Sequence, residues 1–427
     1  MNFLQFAVWG AYLTCMGSFL FSHGLARNIG IFYAVQGIVS IFMPALIGII
    51  ADKWIPAQRL YGLCHALSGA AMIAAGVYGL NAADAVQFAP LFTLYTIGVA
   101  FYMPTLALSN SVAYNALEQC NMDAVKEFPP IRIFGTIGFI LSMWAVDLLG
   151  YQTTAAQFIV SGGIGAVLAL YAQTLPNCPV SRSSAKNKSI AEALGLKAFA
   201  LFKDGRMAVF FVFSMLLGVS LQITNGFANP FLMSFGNLPQ YQDSFGVAHA
   251  NILISLSQIS ETLCILLIPF FLKRFGIKNV MLIAMFAWVL RFAFFGIGNP
   301  GNGIVFFVLS CIVYGVAFDF FNISGSLFVD KETSPDIRSS AQGLFMLMTN
   351  GIGATVGTLG AQAVVNKFVP MVDFKTVPEV AKEALALDVW HGWQTSWYIF
   401  ALYALIVAVA FIFAFRYKTK NNISQQS

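Results

Sequence analysis

The sequence predicts an all-α integral membrane protein of twelve transmembrane helices in two pseudo-symmetric six-helix halves. Three observations lead there. Of 427 residues, 58% are hydrophobic and 10% charged, and the mean hydropathy is +0.76, whereas a water-soluble domain carries about 25% charged residues. So little polar side chain cannot cover a water-facing surface, and lipid must be the main solvent. Apolar windows of the ~20 residues needed to cross ~30 Å of hydrocarbon also tile the chain from end to end. Finally, Lys and Arg gather in every second gap between the windows, the positive-inside signature of a multi-pass topology.

The windows run over 3–22, 31–51, 60–80, 88–109, 131–150, 154–175, 207–232, 249–271, 279–298, 303–328, 340–366 and 393–415. The first begins at Phe3 without a basic stretch before it, and it is long enough to span, so no cleaved signal is read there. With the N-terminus inside, the inner loops 51–59, 110–132, 176–206, 272–279, 329–338 and 416–427 hold 18 Lys and Arg. The outer segments hold four (Arg27, Lys367, Lys375 and Lys382), and Arg291 lies inside a window. Both termini are therefore expected in the cytoplasm.

The longest inner loop separates six windows from six. It sets the expected division: an N-terminal half at 1–175, a basic cytoplasmic linker at 176–206, and a C-terminal half at 207–427. The halves echo each other. "PPIRIFGTIG" enters the fifth window and "SPDIRSSAQG" the eleventh, while "GIIADKWIPAQR" after the second is matched by "KRFGIKN" after the eighth. Repeated halves of this kind are the architecture of secondary transporters, whose site lies near the bilayer midplane between repeats.

Several chemistries are excluded. There is no GxxxxGK[ST] loop for ATP, no HExxH and no GxSxG. Six scattered Cys (Cys15, Cys64, Cys120, Cys178, Cys264 and Cys311) form no CxxC and suggest neither a disulfide framework nor zinc. The net charge of +5 sits in membrane-flanking loops, so no nucleic-acid partner is expected. Transport energy would have to come from an ion gradient, with no cofactor.

Ion coupling needs titratable groups inside the membrane. Of 18 acidic residues, Glu261 and Asp319 fall well within windows, with Asp147 near an outer edge. An intramembrane carboxylate costs roughly 2.5–3.5 kcal/mol on insertion scales and marks a functional site by default. Glu261 follows Gln258 at i, i+3, which puts both on one helix face. Gln222 and Asn225 repeat that spacing in the seventh window. Tyr314 and Phe318 stand at i, i+4 in the tenth, beside Asp319 and Asn322. Arg132, Thr136 and Phe139 make a fourth stripe in the fifth window.

A plainer reading stands beside each stripe. Amides and hydroxyls in membrane helices also act as interhelical packing contacts, Phe139 and Phe318 suit packing, and Arg132 suits snorkelling at the cytoplasmic edge. Arg291 reads as a structural pair, and His23, His65 and His249 are isolated and receive no role. Taken together, a carboxylate, primary amides, a hydroxyl and aromatic faces suit a small, neutral, hydroxyl-rich ligand with a flat ring.

At this point the sequence resembles the nucleoside:proton symporters of the major facilitator superfamily, over nearly its whole length. The likeness is carried by "FLQFAVWGAYLT", "FMPALIGIIADKW", "FPPIRIFGTIGFI", "FSMLLGVSLQITN", "SQISETL", "YGVAFDFFNISGS" and "IRSSAQGLFMLMTNG". It implies a twelve-helix fold with a central nucleoside site and proton-coupled uptake across the bacterial inner membrane. By matching motif, the implied ligand residues are Arg132, Thr136, Phe139, Gln222, Asn225, Gln258, Glu261, Tyr314 and Phe318. Asp319 is implied in coupling, with Glu261 as the alternative proton carrier. The implied substrates are nucleosides such as uridine and adenosine, moved by a monomer.

Two stretches depart from the family pattern: "NGFANPF" after Asn225, and a longer outer segment at 367–392. They leave base preference and outer gating open. Rival readings are a sugar or oligosaccharide symporter on the same scaffold, a membrane-embedded transferase, and a nutrient sensor that binds without translocating. Short loops and mid-span carboxylates count against the transferase, and repeated halves against the sensor.

Overall fold

The computed structural model describes residues 1–178 and 196–417, so most of the expected linker and the last ten residues lie outside it. All regular elements among the described residues are helical. The N-terminal part comprises α1 (Asn2–Gly10), α2 (Met16–Ser22), α3 (Ile29–Lys53), α4 (Ala57–Ala82), α5 (Phe88–Gln119), α6 (Ala124–Leu148) and α7 (Ala156–Tyr171). The remainder comprises α8 (Gly205–Leu221), α9 (Ile223–Ser234), α10 (Phe245–Ala248), α11 (Ala250–Ile297), α12 (Ile304–Glu332), α13 (Pro335–Met346), α14 (Ala354–Phe368) and α15 (Glu379–Ala414).

Among the described residues, ten helices are long and apolar enough to cross a membrane. Two features connect that number with the expected windows. At 48 residues, α11 would be about 72 Å long if straight, more than twice the hydrocarbon thickness. It breaks at Gly276, whose φ of 73° and ψ of 168° are open essentially to glycine alone. The two arms match the separate windows 249–271 and 279–298. The first window, 3–22, is instead interrupted between α1 and α2. There the Leu13 carbonyl accepts a hydrogen bond from the Tyr33 hydroxyl of α3, which draws it away from the helical ladder.

Other ends follow local chemistry. The last residues of α6 close in a Schellman turn: Tyr151 N–H donates to Val146 O and Gly150 N–H to Asp147 O, both at 2.9 Å, with Gly150 at φ 71°. Pro378 caps the start of α15, and Glu379 sits in its first turn, favourably against the helix dipole. The helix therefore begins at Glu379 rather than near residue 393, and half of the expected outer segment 367–392 is helical.

Lipid is as apolar as Leu, so helices associate through close backbone approach at small residues. A Cβ at Gly138 of α6 would collide with the Phe3 carbonyl of α1. One at Gly218 of α8 would meet the Thr349 carbonyl, and one at Gly357 of α14 the Val219 carbonyl. These contacts set α1 against α6 and α8 against the Leu347–Gly353 segment, a π-helical stretch of the kind found at functional sites. The aromatic core is densest among α9, α11 and α15, where Phe231 meets Phe295, Trp393 and Trp397 edge-on or tilted.

Asp204 caps α8. Its Oδ1 accepts from Arg206 N–H at 2.8 Å and Met207 N–H at 3.0 Å. The Met207 and Arg206 amides hold this carboxyl below the usual carboxylate range. A depressed pKa means the stabilisation is complete above the unfolded value of about 3.9 and fades as pH falls through the folded one. Asp204→Ala should cost about 1 kcal/mol and lower the Tm of the detergent-purified protein at pH 7. Asp204→Asn, also a good N-cap, should retain most of the Tm and lose the acid dependence.

Candidate functional site

A cavity of about 1420 Å³ opens among α1, α3, α5, α6, α8, α9, α11, α12, α13 and the 347–353 segment. All nine ligand residues expected from the sequence line it: Arg132, Thr136, Phe139, Gln222, Asn225, Gln258, Glu261, Tyr314 and Phe318. Four widely separated stretches thus converge on one space. It exceeds the 300–1,000 Å³ usual for small-molecule pockets because it is open at one end, where Lys53, Asn110, Phe199 and Ser340 line it.

Local backbone breaks aim several of these groups. The helix over 205–234 is interrupted at Gln222, with φ −92° and ψ −9°, where the sequence led us to expect one continuous span. The break orients Gln222 and Asn225 together, and Asn225 Nδ2 donates to Gln222 Oε1 at 2.9 Å. Discontinuous helices at a midplane site are a recurrent way to free polar groups for a ligand. Across the cavity, Arg132 stacks its guanidinium 3.9 Å from the Phe6 ring centroid. Tyr314 and Phe318 stack on each other at 5.6 Å and 12°, presenting one aromatic wall.

Glu261 lies on α11 and Arg132 on α6, and both line the cavity. Among the described residues Glu261 makes no ion pair and no hydrogen bond, and Gln258 Oε1 is buried without a partner. A site with a free carboxylate, an unused amide oxygen and a guanidinium is set up to bind hydroxyls and ring nitrogens. Asp319 is placed differently. It is only 5% exposed, does not line the cavity, and its Oδ2 has no hydrogen-bond partner.

Several lining residues were not singled out from the sequence. Phe6 and Trp9 come from α1, Gln36 and Ser40 from α3, and Asn350 from the π-helical stretch. Gln36 is fixed at both ends: its Oε1 accepts from Trp9 Nε1 at 3.3 Å and its Nε2 donates to Tyr95 Oη at 2.7 Å. Trp9 in turn meets Phe139 edge-on at 6.4 Å. An amide in the middle of the apolar run "YAVQGIVSIF" carried the same signal as Gln222, and so did Asn350 in "MLMTNG".

A buried polar cluster, none of whose members lines the cavity, joins the α1–α2 break and α2 to α9 and the start of α11. Thr14 Oγ1 donates to Asn251 Oδ1 at 2.8 Å, Ser18 Oγ donates to Asn229 Oδ1, and Asn229 Nδ2 donates to Gln152 Oε1 at 3.0 Å. Asp147 Oδ2 accepts from the Asn251 and Ile252 amides at 3.0 and 3.2 Å, which caps α11, while Oδ1 meets His249 Nδ1 at 2.5 Å. His249, read as isolated in the sequence, is therefore paired; its partner is 102 residues away, beyond any local pattern. His65 is likewise paired, with Gln5 Oε1 at 2.8 Å.

Comparison with known proteins decides the family. A family model described as nucleoside H+ symporter matches residues 1–420. The chain belongs to the nucleoside H+ symporter family. The symporter is a proton-coupled nucleoside transporter, not an enzyme, and a multi-pass membrane protein. It is 48% identical to the xanthosine permease of Escherichia coli (strain K12) over 420 residues, 98% of this chain and 94% of that protein. It is also 48% identical to the nucleoside permease NupG of the same organism over 421 residues, 98% of this chain and 95% of that one. A crystal structure of the nucleoside transporter NupG matches with a TM-score of 0.85 at 47% identity, covering 98% of both chains. The symporter accordingly has the major facilitator fold.

Accessibility offers a direct check on which end is open. In a Cys120→Ser background, Asn110→Cys at the open end should react readily with a membrane-impermeant thiol reagent, and nucleoside should slow the reaction. Thr14→Cys in the buried cluster should react about tenfold more slowly, because a buried thiol is shielded from reagent.

Proposed function

We propose that the cavity is the nucleoside site of an alternating-access symporter, and that Arg132, Thr136, Phe139, Gln222, Asn225, Gln258, Glu261, Tyr314 and Phe318 bind the ligand. The observation that carries this reading is their convergence on one space from four distant stretches of the chain. Ribose hydroxyls face Glu261, Gln258 and Arg132, since a carboxylate accepts from hydroxyls and a guanidinium donates to them. The base faces Gln222 and Asn225, whose amides pair with ring donors and acceptors, and stacks on Phe318. Nucleosides such as uridine and adenosine are the proposed substrates, given this mixture of amides and aromatic faces and the similarity to a nucleoside permease.

The unit of motion is the half. In this reading residues 1–175 and 207–427 rock about the site, joined by the basic linker 176–206, and the twelve crossings include both arms of α11 and the interrupted 2–22 segment. The positive-inside distribution supports cytoplasmic termini in a bacterial inner membrane, and the cavity then opens to the cytoplasm. A monomer suffices, because every proposed ligand residue comes from one chain. The proton gradient supplies the energy, without a cofactor.

Asp319 carries the proton. It is buried beside the cavity-lining Phe318, with one oxygen unpartnered, so protonation removes an expensive buried charge and changes the cost of moving α12. Glu261, facing the cavity, can instead exchange a proton and a ribose hydroxyl at one position, which keeps it as the alternative carrier. One charge moved through 100 mV is worth about 2.3 kcal/mol, a concentration ratio of roughly fiftyfold.

Uptake of labelled uridine and adenosine into expressing cells tests this reading. Wild-type uptake should rise from pH 8 to pH 5.5 and collapse with a protonophore. Glu261→Gln should lose uptake altogether. Asp319→Asn should still bind and equilibrate nucleoside but fail to concentrate it; accumulation that persists and still follows the pH gradient would assign the proton to Glu261. Absence of uptake of either nucleoside by well-expressed protein would reject these substrates.

A further inference from the structure

Arg291 is a charged side chain buried deep within the helices that the proposed site does not use. It is 2% exposed, it does not line the cavity, and among the described residues it has no carboxylate within ion-pair distance. A guanidinium held in a membrane interior without an anion is costly, and such residues are ordinarily paired or functional. The structural pairing expected of Arg291 is therefore made without an ion pair. Its partners are neutral, and where they sit is informative.

Nη1 donates to Ser310 O at 2.9 Å and to Ser257 Oγ at 3.3 Å, and Nη2 donates to Thr224 Oγ1 at 3.1 Å. The guanidinium carbon stands 4.3 Å from the Tyr314 ring centroid, within range of a cation–π attraction that strengthens when water is excluded. Thr224 lies between Gln222 and Asn225. Ser257 precedes Gln258 on α11, and Tyr314 is itself on the cavity wall. One planar fork, rooted in the second arm of α11, thus holds the broken α8–α9 junction, the first arm of α11 and α12 in a single arrangement. The break at Gln222 leaves that junction without a continuous helical ladder, so an external tie is what fixes it.

We propose that Arg291 is a positioning residue for nucleoside binding: it acts through Thr224, Ser257 and Tyr314 to hold Gln222, Asn225, Gln258 and the aromatic wall at the ligand. The proposal rests on the nucleoside site described above. It explains why a guanidinium is retained where an apolar residue would be easier to bury. Lysine would keep the charge but offer a single point of contact in place of the planar fork that reaches three helices.

The test is nucleoside binding by the purified full chain, read by calorimetry with uridine and adenosine, together with Tm and elution profile. Arg291→Lys and Arg291→Gln should each weaken binding about tenfold or more, because hydrogen bonds to a charged group are lost. In cells the same variants should show a raised KM with a maximal rate per folded protein close to wild type. Thr224→Val should weaken binding severalfold in the wild-type background and add little in Arg291→Gln, since the two act through one contact.

A well-folded Arg291→Lys with wild-type affinity overturns the proposal, as do additive effects of Thr224→Val and Arg291→Gln. If Arg291→Gln does not fold, Thr224→Val and Ser257→Ala decide: wild-type affinity in the double variant overturns the proposal, and weakened affinity at unchanged Tm supports it. Gln222→Ala and Gln258→Ala separate the two levels. If they bind like wild type, the site itself is misassigned and the proposal falls with it; if they lose binding while the Arg291 variants do not, only the proposal fails.

Discussion

Nothing in the hydrocarbon can hydrogen-bond a stray polar group, and this constraint organises the whole molecule. Backbone groups meet it by forming helices throughout. Side chains meet it in two ways: they find a partner inside the protein, or they face a cavity that admits water. The polar residues in the apolar windows include examples of each. Gln5 is enclosed with Thr105, Tyr61 and His65, whereas Glu261 and Gln258 have no partner and open onto the cavity.

The same constraint explains how the site is assembled. The helix interrupted at Gln222 and the π-helical turn at 347–353 both depart from regular backbone, and both lie on the cavity. Irregular backbone at membrane depth survives only where it lines such a space or is tied down by neighbours. Here glycines let neighbours come close enough to do so. Gly218 and Gly353 press the two irregular segments together, carbonyl against bare Cα.

Composition and window length were enough to read the all-helical membrane fold, because lipid exposure imposes both on almost every residue. The four polar stripes were legible for the same reason: a carboxylate or amide in an apolar run stands out without any knowledge of its neighbours. What could not be read was anything that depends on which helices meet. His249 looked isolated because its partner, Asp147, belongs to a distant helix, and Arg291 looked like half of an ion pair because its neutral partners are unremarkable serine and threonine side chains. The helix breaks were equally hidden. Tyr33 of α3 engages the Leu13 carbonyl in the break between α1 and α2, and no local residue pattern around Leu13 announces it. Trp9 escaped notice because an aromatic residue in an apolar helix is ordinary until its position against Phe139 and Gln36 is known.

The buried polar cluster between the α1–α2 region and α9 and α11 has a consequence for the speed of cycling. A contact made of packed leucines would expose greasy surface each time it parted, and the joined form would then be a deep thermodynamic trap. Thr14, Ser18, Gln152, Asn229 and Asn251 instead hold each other through hydrogen bonds that water can replace nearly one for one. Parting these contacts exchanges hydrogen-bond partners and exposes little apolar area at the cluster itself, which lowers the cost of separating the helices there. A bound solute or a proton then has less to overcome when these helices part.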